Sequence, residues 1–479
     1  MDSIWKQTAG ISHRPYLYGE VKAEAAVIGG GLAGILTAYF LQQRGIETVL
    51  LEANRVGSGQ TRNTTAKVTS QHNLIYHRLI QEFGADKARQ YASANQQAIE
   101  AYRHVIKLEH NNCDWERRPA YLYSCIEREP LQREAQAARQ LGIVAEFTEE
   151  TSLPFPIKGA VKFQRQAQFH PLKFLGAIAE KLTIYENSMV TSVEGEEIRT
   201  DRGRVLAKHI VFACHYPFLN SPGYYFMRMH QTRSYLLALR NAPQLDGMYL
   251  GIDQDGYSFR NSGDLLLLGG GSHRTGENSA GGQYEKLRRA AANYFPGSTE
   301  IAFWSAQDCM TLDGIPYIGQ YSSSTPHWYV ATGFQKWGMS SSMVAALLLS
   351  DLICGQKNPF AEVFSPQRFQ FSASAKTLME DGLQAVKGLT REWFSLPKET
   401  LEELPAGHGG IVEYDGHKMG VYRDEQGEVF LVSPRCPHLG CQLSWNPDEK
   451  SWDCPCHGSR FDYKGRRIDN PATEGLACE

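Results

Sequence analysis

The chain has 479 residues, with 49 Lys plus Arg, 52 Asp plus Glu and a formal net charge of −3 at pH 7. This length allows roughly three domains, and the near-neutral charge gives no indication of a nucleic acid or other polyanion as a partner. No apolar run reaches the ~18 residues of a transmembrane segment, and the N-terminus lacks a signal-peptide pattern, so the sequence predicts a cytoplasmic protein.

Hydrophobic patterning divides the chain into a long mixed α/β unit, a polar segment and a short β-rich end. Near the N-terminus, strands are predicted at 25–28 and 48–51, with one helix between them. A long helix is predicted over about 74–107, and strands and helices then alternate. The expected units are a first domain at 1–354, a linker with one helix at 355–407 and a small β domain at 408–479.

The turn after the first predicted strand carries a dinucleotide-binding motif. Gly29, Gly31 and Gly34 form G-x-G-x-x-G, and Glu52 closes the next strand. In such a unit the glycines allow a tight turn, the approach of a pyrophosphate to the helix N-terminus and close packing of helix on strand. The acid accepts a hydrogen bond from a ribose hydroxyl. The strand, helix and acid together predict a bound dinucleotide, with a ligand-free glycine turn as the alternative.

A second glycine-containing loop favours FAD over NAD. The loop NRVGSGQTRNTTAKVTS resembles the flavin-contacting loop of the D-amino-acid oxidase-like FAD family, and HPLKFLGAIAEKLTIYENSMV, HIVFAC, TLDGIPYIG and YVATGFQKWGMS resemble its later motifs in order. This resemblance implies an α/β Rossmann-type FAD-binding domain with an inserted mixed-sheet substrate domain at about 215–303. The cofactor-binding residues expected from motif and resemblance are Gly29, Gly31, Gly34, Glu52, Gly57, Ser58, Thr65, Val190, Asp313, Gly333, Gly338 and Met339.

Several side chains are candidates for the substrate site. Arg260 and His273 lie in predicted strands of the substrate domain, and Lys67 follows the flavin loop, although ordinary surface positions would also explain them. Amino-acid oxidases of this family usually carry an Arg just before DGxPxIG that clamps the substrate carboxylate, whereas this chain has Gln307 and Asp308 there. Free amino acids are therefore disfavoured as substrates, and Asp308 is expected to attract a cationic amine.

Near the C-terminus, two short loops each carry one Cys and one His. Cys436 and His438 lie in CPHLGC, and Cys454 and His457 lie in CPCHGS. A structural zinc site usually has two Cys followed by two His, whereas one thiolate and one imidazole from each loop suit a two-iron cluster. The loops resemble the Rieske [2Fe–2S] family, with a zinc knuckle or a plain disulfide pair as the alternative. The resemblance implies that the two Cys hold one iron and the two His hold the other.

The same resemblance assigns roles to three further residues of these loops. It implies a disulfide between Cys441 and Cys456, as in the cytochrome bc-type subclass, and a hydrogen bond from Ser459 to a cluster sulfur. It also implies a small all-β domain.

The two modules together resemble a group of bacterial fusions of this FAD domain to a C-terminal Rieske domain. A flavin accepts two electrons together and a Rieske cluster carries one at a time, so we expect a dehydrogenase that oxidises a C–N bond of an amine-type small molecule. Electrons would then leave singly through the cluster to an external acceptor protein or quinone, and the reverse direction, from an external donor, is equally compatible with the sequence. A NAD(P)H-fed reductase that serves a partner protein, or a redox sensor or carrier, is the alternative. Only one complete dinucleotide motif is found in the sequence, whereas a NAD(P)H-fed reductase would need a second site for the nicotinamide nucleotide. A sensor or carrier would leave the substrate domain without a use.

Overall fold

The computed structural model describes residues 2–368 and 400–478. The predicted linker helix, over 372–394, lies outside the described residues. In chain order, the helices are α1 (Ile4–Thr8), α2 (Leu32–Gln43), α3 (Tyr76–Phe83), α4 (Ala85–Leu108), α5 (Glu129–Gln140), α6 (Pro171–Ala179), α7 (Gln283–Tyr294), α8 (Gly338–Ile353) and α9 (Ala361–Phe364). The strands are β1 (Gly19–Ile28), β2 (Thr48–Leu51), β3 (Lys67–Val68), β4 (Glu116–Ser124), β5 (Ala145–Thr148), β6 (Gly159–Gln168), β7 (Thr183–Tyr185), β8 (Val190–Glu194), β9 (Glu197–Thr200), β10 (Gly203–Phe212), β11 (Met229–Arg240), β12 (Met248–Gly251), β13 (Ser258–Ser262), β14 (Leu265–Arg274), β15 (Thr299–Thr311), β16 (Tyr317–Ser322), β17 (Thr325–Thr332), β18 (Gly409–Tyr414), β19 (His417–Arg423), β20 (Val429–Val432), β21 (Ser444–Asn446), β22 (Ser451–Asp453), β23 (Arg460–Asp462) and β24 (Arg467–Asp469).

An eight-stranded sheet carries the glycine-rich turn. Its main order is β16-β17-β10-β1-β2-β7, and β8 and β9 join it beside β10. Strand β1 runs parallel to both neighbours, with Ala26 opposite Val49 on one side and Ile210 on the other. The last four residues of β1 and all of β2 are buried, which explains their continuous apolar sequences. The first half of β1 lay outside the predicted strand at 25–28; it alternates exposed polar residues with the partly buried Val21 and Ala23.

The single helix predicted over 74–107 is two helices in the structure. Helix α3 ends at Phe83 and α4 begins at Ala85, with Gly84 between them at a φ of 83°. Glycine adopts positive φ without the steric cost that a side chain imposes. The chain therefore turns at this glycine, and α3 packs back against α4.

A nine-stranded mixed sheet forms the second large unit. Its main order is β15-β11-β14-β13-β12-β4-β6-β3, and β5 pairs with β6. The predicted strand segments within 229–274 are β11, β13 and β14. The sheet also includes strands between residues 67 and 168, so it extends well beyond the predicted range of 215–303.

Two small antiparallel sheets form the C-terminal unit, with strand orders β18-β19-β20 and β21-β22-β23-β24. Trp452 and Phe461 pair across β22 and β23, and both side chains are fully buried. This architecture confirms the predicted fold class: it consists of an α/β unit with a parallel core, an inserted mixed sheet and a small all-β unit. Across residues 2–368 and 400–478, no helix combines the length and apolar character needed to cross a membrane.

Candidate functional site

A large cavity of about 1390 Å³ is lined by residues of both large sheets and of the C-terminal unit. Ile28 and Leu51, at the carboxyl ends of β1 and β2, line it from the first sheet, and Leu236 of β11 lines it from the second. Ligands of open parallel sheets bind at this edge. The volume exceeds that of an ordinary small-molecule pocket, as an extended dinucleotide requires.

The three glycines of the turn permit very close backbone contacts at one end of this cavity. Gly29 has a φ of 115°, and a Cβ there would lie 2.5 Å from the carbonyl oxygen of Ala213. A Cβ on Gly34 would lie 1.9 Å from the carbonyl oxygen of Gly29. Gly31 precedes the first residue of α2 and lines the cavity. The positive N-terminal end of a 12-residue helix is thus open to a pyrophosphate.

Glu52 lies where a ribose would be held beside this turn. One carboxylate oxygen accepts a hydrogen bond from the Gly30 amide at 2.7 Å, and the other accepts one from the Asn54 amide at 2.8 Å. Burial raises the pKa of Glu52, although these two amides oppose the rise. Each oxygen retains a further lone pair for a ribose hydroxyl. The glycine turn, the helix terminus and this acid therefore fit the adenosine diphosphate part of FAD.

Six further residues predicted to bind the cofactor also line the cavity: Ser58, Thr65, Val190, Gly333, Gly338 and Met339. Gly333 has a φ of 68°, and a Cβ there would lie 2.2 Å from Cγ2 of Thr311. Gly338 begins α8, so the N-terminal end of this long helix meets the cavity. That end provides the positive dipole that favours an anionic reduced flavin.

Three residues predicted to bind the cofactor lie outside the cavity lining, namely Gly34, whose role is the close packing of α2 on the turn, Gly57 and Asp313. Gly57 donates its amide to the carbonyl oxygen of Gly30 at 3.0 Å, and a Cβ there would clash with Leu175 of α6. Asp313 forms an ion pair with Arg368, at 2.8 Å. Gly57 and Asp313 contact neighbouring parts of the protein and do not line the cavity. Their packing partners are distant in the sequence, so local motifs did not reveal these contacts.

Asp308 is the predicted substrate residue whose surroundings best suit that role. It lines the cavity, and no hydrogen bond or ion pair to its carboxylate is formed within the described part of the chain. Burial raises the pKa of Asp308 to about 6, and the positive charge of Lys336 opposes this rise. The Lys336 ammonium lines the same cavity and donates to the hydroxyls of Ser234, at 2.9 Å, and Ser272, at 2.6 Å. Lys336 was not predicted, because its role depends on two distant strands.

Lys67 also lines the cavity, but its ammonium group has two protein partners. It donates to the carbonyl oxygen of Tyr249 at 2.7 Å and to the hydroxyl of Ser258 at 2.6 Å. Burial lowers the pKa of Lys67 to about 7, and the nearby charge of Arg260 contributes. Lys67 is therefore positioned to titrate near neutral pH at the cavity wall.

Arg260 and His273 do not line the cavity, contrary to expectation. The buried Arg260 guanidinium donates to the carbonyl oxygens of Thr65, at 2.7 Å, and Ala66, at 2.9 Å. It thereby supports the backbone of the flavin loop. The His273 ring stacks on Tyr235, with Nε2 at 3.0 Å from the phenol oxygen. A strand pattern does not reveal which face of the sheet each side chain occupies.

The two Cys-His loops bring a pair of thiols and a pair of imidazoles together. Cys436 and Cys454 are both buried, and a hydrogen bond from the Cys454 thiol lowers the pKa of the Cys436 thiol. The ring centroids of His438 and His457 lie 4.9 Å apart. The Nδ1 atom of His438 is buried and makes no hydrogen bond within the described structure, which leaves it available to a metal. Separate sulfur and nitrogen pairs fit the two irons of a Rieske cluster.

Cys441 and Cys456 form the predicted disulfide, with their Cα atoms 6.7 Å apart. The sulfurs of Cys441, Cys454 and Cys456 lie within 4.8 Å of one another, but two of them are joined in this bond. Only Cys454 of this group is left as a metal ligand. A hydrogen bond with Ser459 also lowers the pKa of Cys436, which places the Ser459 hydroxyl beside a predicted ligand sulfur.

Gln231 connects the cluster loops to the cavity. Its side chain is 1% exposed, and its amide nitrogen donates to the carbonyl oxygens of His457, at 2.8 Å, and Asn470, at 3.0 Å. Its amide oxygen accepts a hydrogen bond from Gln307 at 2.7 Å. The same oxygen lies 3.2 Å from Nε2 of His215, a residue that lines the cavity. One buried side chain thus contacts residues of both sites.

Gln307 occupies the predicted position of a substrate-carboxylate clamp, but it serves this interface. Its amide nitrogen also donates to the carbonyl oxygen of Gly458, at 2.8 Å, in the second cluster loop. The residue is fully buried. The Gln307 amide donates to the cluster loop from a fully buried position, which explains why a neutral amide is found where related oxidases have an arginine.

The imidazole edge of the cluster loops also packs against the large unit. His438 Nε2 lies 2.7 Å from the side-chain oxygen of Asn220. The Phe226 ring meets both imidazoles edge-on, with centroid distances of 6.1 Å to His438 and 5.7 Å to His457. These interdomain contacts lie far apart in the sequence and carry no motif that would have predicted them.

A buried ionic network joins the same two units. Glu449 accepts hydrogen bonds from Arg233, including one of 2.6 Å, and forms an ion pair with Arg460 at 3.0 Å. Arg460 also pairs with Asp453 at 3.0 Å and Asp469 at 3.1 Å. Burial alone would raise the pKa of Glu449, but Arg233 and Arg460 outweigh it and lower the pKa to about 2.

A dinucleotide cavity joined to paired Cys-His loops defines a flavoprotein with an iron–sulfur domain. Residues 24–352 match the family described as FAD dependent oxidoreductase, and residues 395–478 match the Rieske [2Fe-2S] domain. The chain therefore belongs to the FAD-dependent oxidoreductase family and carries a C-terminal Rieske domain, which excludes the zinc alternative. Its cofactors are FAD and a [2Fe–2S] cluster.

Individual relatives share one or both parts. YhfW of Bacillus subtilis (strain 168), whose name describes a Rieske 2Fe-2S iron-sulfur protein, is 37% identical over 494 residues, covering 99% of this chain and 97% of that protein. Gamma-glutamylputrescine oxidoreductase of Escherichia coli (strain K12) is 22% identical over 379 residues, covering 71% and 85%. The crystal structure of glycine oxidase from Geobacillus kaustophilus gives a TM-score of 0.62 at 19% identity, covering 73% of this chain and 99% of that one. The protein is thus an FAD-dependent oxidoreductase with a C-terminal Rieske domain, and the glycine oxidase structure shows the same fold for its larger part.

Proposed function

We propose that this enzyme oxidises a C–N bond of a cationic amine and passes the electrons, one at a time, through the Rieske cluster to an external acceptor protein. The observation that carries the proposal is the Gln231 contact between a cluster loop and the cavity wall. Bound FAD would accept hydride from the substrate, and the protein positions the two cofactors. Relatives named for oxidation of glycine, proline and a putrescine derivative support a substrate with a C–N bond.

Asp308 and Lys336 supply the charges of the proposed substrate site. Asp308 offers a carboxylate with no protein partner in the described structure, so it is available to an ammonium group. Lys336 uses two of its three N–H donors on Ser234 and Ser272, which leaves one for the substrate. The site therefore suits an amine whose cationic nitrogen lies towards Asp308.

The proposed function is tested by anaerobic mixing of the purified enzyme with amines, followed at flavin and cluster wavelengths together. We expect an active amine to bleach the flavin first and the cluster afterwards. Rapid bleaching by NADH, with no response to any amine, would contradict the proposal and support the reductase alternative.

We expect Asp308→Asn to raise the apparent KM for an active amine about tenfold, the usual effect of losing a hydrogen bond to a charged group. Because the pKa of Asp308 is about 6, its carboxylate is charged above that pH and neutral below it. The wild-type KM should therefore fall as pH rises through about 6, and the variant should lose this dependence. Steady-state kinetics from pH 5 to 8 measures both effects.

The matched control for this prediction is Asp264→Asn, because the Asp264 side chain is 73% exposed and lies outside the cavity. This control should keep the wild-type KM and its pH dependence. An unchanged KM in Asp308→Asn for every active amine would exclude Asp308 from the substrate site.

We expect Gln231→Leu to slow reduction of the cluster at least tenfold while flavin reduction by the amine stays at the wild-type rate. Leucine retains the bulk of the side chain but removes its hydrogen bonds to His457, Asn470 and Gln307. Stopped-flow absorbance resolves the two steps. Flavin content and the EPR signal of the cluster establish that both cofactors are retained.

Gln42→Leu is the control for the Gln231 variant, since Gln42 is exposed on α2 and, among the described residues, its side chain bonds only to the carbonyl oxygen of Lys181. Both steps should keep their wild-type rates in this control. Cluster reduction at the wild-type rate in Gln231→Leu would show that the proposed route does not depend on this contact.

A further inference from the structure

The C-terminal domain forms part of the wall of the FAD cavity. Besides Glu449 and Arg460, one short segment of this domain lines it with five residues: Arg467, Ile468, Asp469, Asn470 and Thr473. This segment is fixed to the FAD domain by hydrogen bonds. Gln60 donates to Asp469 at 3.1 Å, and the Asn470 side chain donates to the carbonyl oxygens of Cys214, at 3.0 Å, and Tyr216, at 2.6 Å. The wall is therefore part of the folded interface.

Arg467 places a guanidinium group at one end of this cavity. Its hydrogen bonds go to the carbonyl oxygen of Ala472, at 3.3 Å, and to the sulfur of Met189, at 3.1 Å. Within residues 2–368 and 400–478, no carboxylate lies within 4 Å of the guanidinium. Neutral partners leave its positive charge uncompensated at short range.

The neighbours of Arg467 identify which end of the cavity it faces. Met189 lines the cavity immediately before Val190, which begins β8 and is one of the predicted cofactor-binding residues. Glu52, which fits the ribose, is near enough for its charge to act on Arg467. Burial lowers the pKa of Arg467, and the charges of Asp469 and Glu52 oppose this effect. These contacts place the guanidinium beside the adenosine part of the site.

We propose that Arg467 of the Rieske domain is an FAD-binding residue that holds the adenosine half of the cofactor. A planar guanidinium stacks on aromatic rings and donates several hydrogen bonds, so it suits both the adenine and the ribose. Its charge also favours the anionic pyrophosphate. The FAD site is thus completed by the second domain, and FAD binding and domain docking stabilise each other.

The test compares Arg467→Met with Arg466→Met in the full-length protein. Arg466 is the adjacent residue, and its side chain is exposed. FAD is removed, and the affinities for added FAD and for ADP are measured by flavin fluorescence and calorimetry. We expect Arg467→Met to weaken both ligands at least tenfold and Arg466→Met to bind both like the wild type. Iron content and the cluster EPR signal should be the same in all three proteins.

Two results would overturn the proposal. Equal FAD affinity in the two variants would remove Arg467 from the site, and weaker FAD binding with unchanged ADP binding would exclude the adenosine half. If Arg467→Met loses its cluster, Arg467→Gln replaces it, and wild-type FAD affinity in that folded variant would also overturn the proposal. These measurements need no substrate, so they are independent of the proposed amine oxidation.

Discussion

Replacement of Glu449 by glutamine is expected to lower the thermal unfolding midpoint of the protein and to loosen the Rieske domain. The carboxylate lies between Arg233 and Arg460, which are 1% and 5% exposed. Removing one partner of a buried ion pair costs about 3–5 kcal/mol, because the other charge stays buried without compensation. Arg460 keeps Asp453 and Asp469, so the loss falls mainly on Arg233 and is expected near the lower limit.

The effect of Glu449→Gln should depend on pH in a defined direction. The pKa of Glu449 is lowered from 4.5 to about 2, so the folded protein binds the proton less readily than the unfolded chain. The stabilisation is complete above about pH 4.5 and is lost as pH falls towards 2. Wild type and variant should therefore differ fully at pH 7 and converge in acid.

Differential scanning calorimetry between pH 3 and 8 measures this difference in unfolding midpoint. Glu474→Gln is the control, because Glu474 is an exposed residue of the same domain. It should melt like the wild type at every pH. A Glu449→Gln protein with the wild-type midpoint at pH 7 would show that the Glu449 carboxylate contributes nothing to stability.

Gly34→Ala is expected to weaken FAD binding tenfold or more. The added Cβ would lie 1.9 Å from the carbonyl oxygen of Gly29, so α2 must move away from the turn that its N-terminus shares with the cofactor. Overpacking of this kind costs about 1–3 kcal/mol, and each 1.4 kcal/mol corresponds to about tenfold in affinity. Flavin absorbance of the purified protein, followed by FAD titration, measures the loss.

The control is Gly10→Ala, since a Cβ at Gly10 has no neighbour within 4 Å. This variant should retain FAD in the wild-type ratio. Full FAD occupancy with unchanged affinity in Gly34→Ala would mean that the helix relaxes without disturbing the cofactor.

Local motifs were enough to predict the fold class and the identity of both cofactors. The spacing of Gly29, Gly31 and Gly34 reflects one turn of backbone, and the CPHLGC and CPCHGS loops each lie within six residues. Such features are encoded by neighbouring residues, so they are visible in a single sequence. The same locality explains why the motifs identified FAD and [2Fe–2S] without identifying a substrate.

The residues that connect the sites could not be predicted in this way. Gln231 and the cluster-loop residue His457 are 226 positions apart, and Arg467 and Met189 are 278 apart. Neither pair has a pattern of its own. Arg260 shows the opposite error. A charged residue in a strand led to the prediction that it faces the substrate pocket, but its guanidinium donates to backbone carbonyl oxygens. Partner identity is set by the packed fold.

The contacts of Asn220 and Phe226 with the ligand imidazoles have a kinetic consequence. They hold the cluster against the FAD domain, so the separation between the two cofactors is set when the protein folds. A Rieske domain that had to swing between positions would be slowed by friction with the solvent. Under the proposed function, we therefore expect the internal electron step to depend on a fixed distance between the cofactors and on their difference in potential, and solvent viscosity to act only on the encounter with the proposed external acceptor.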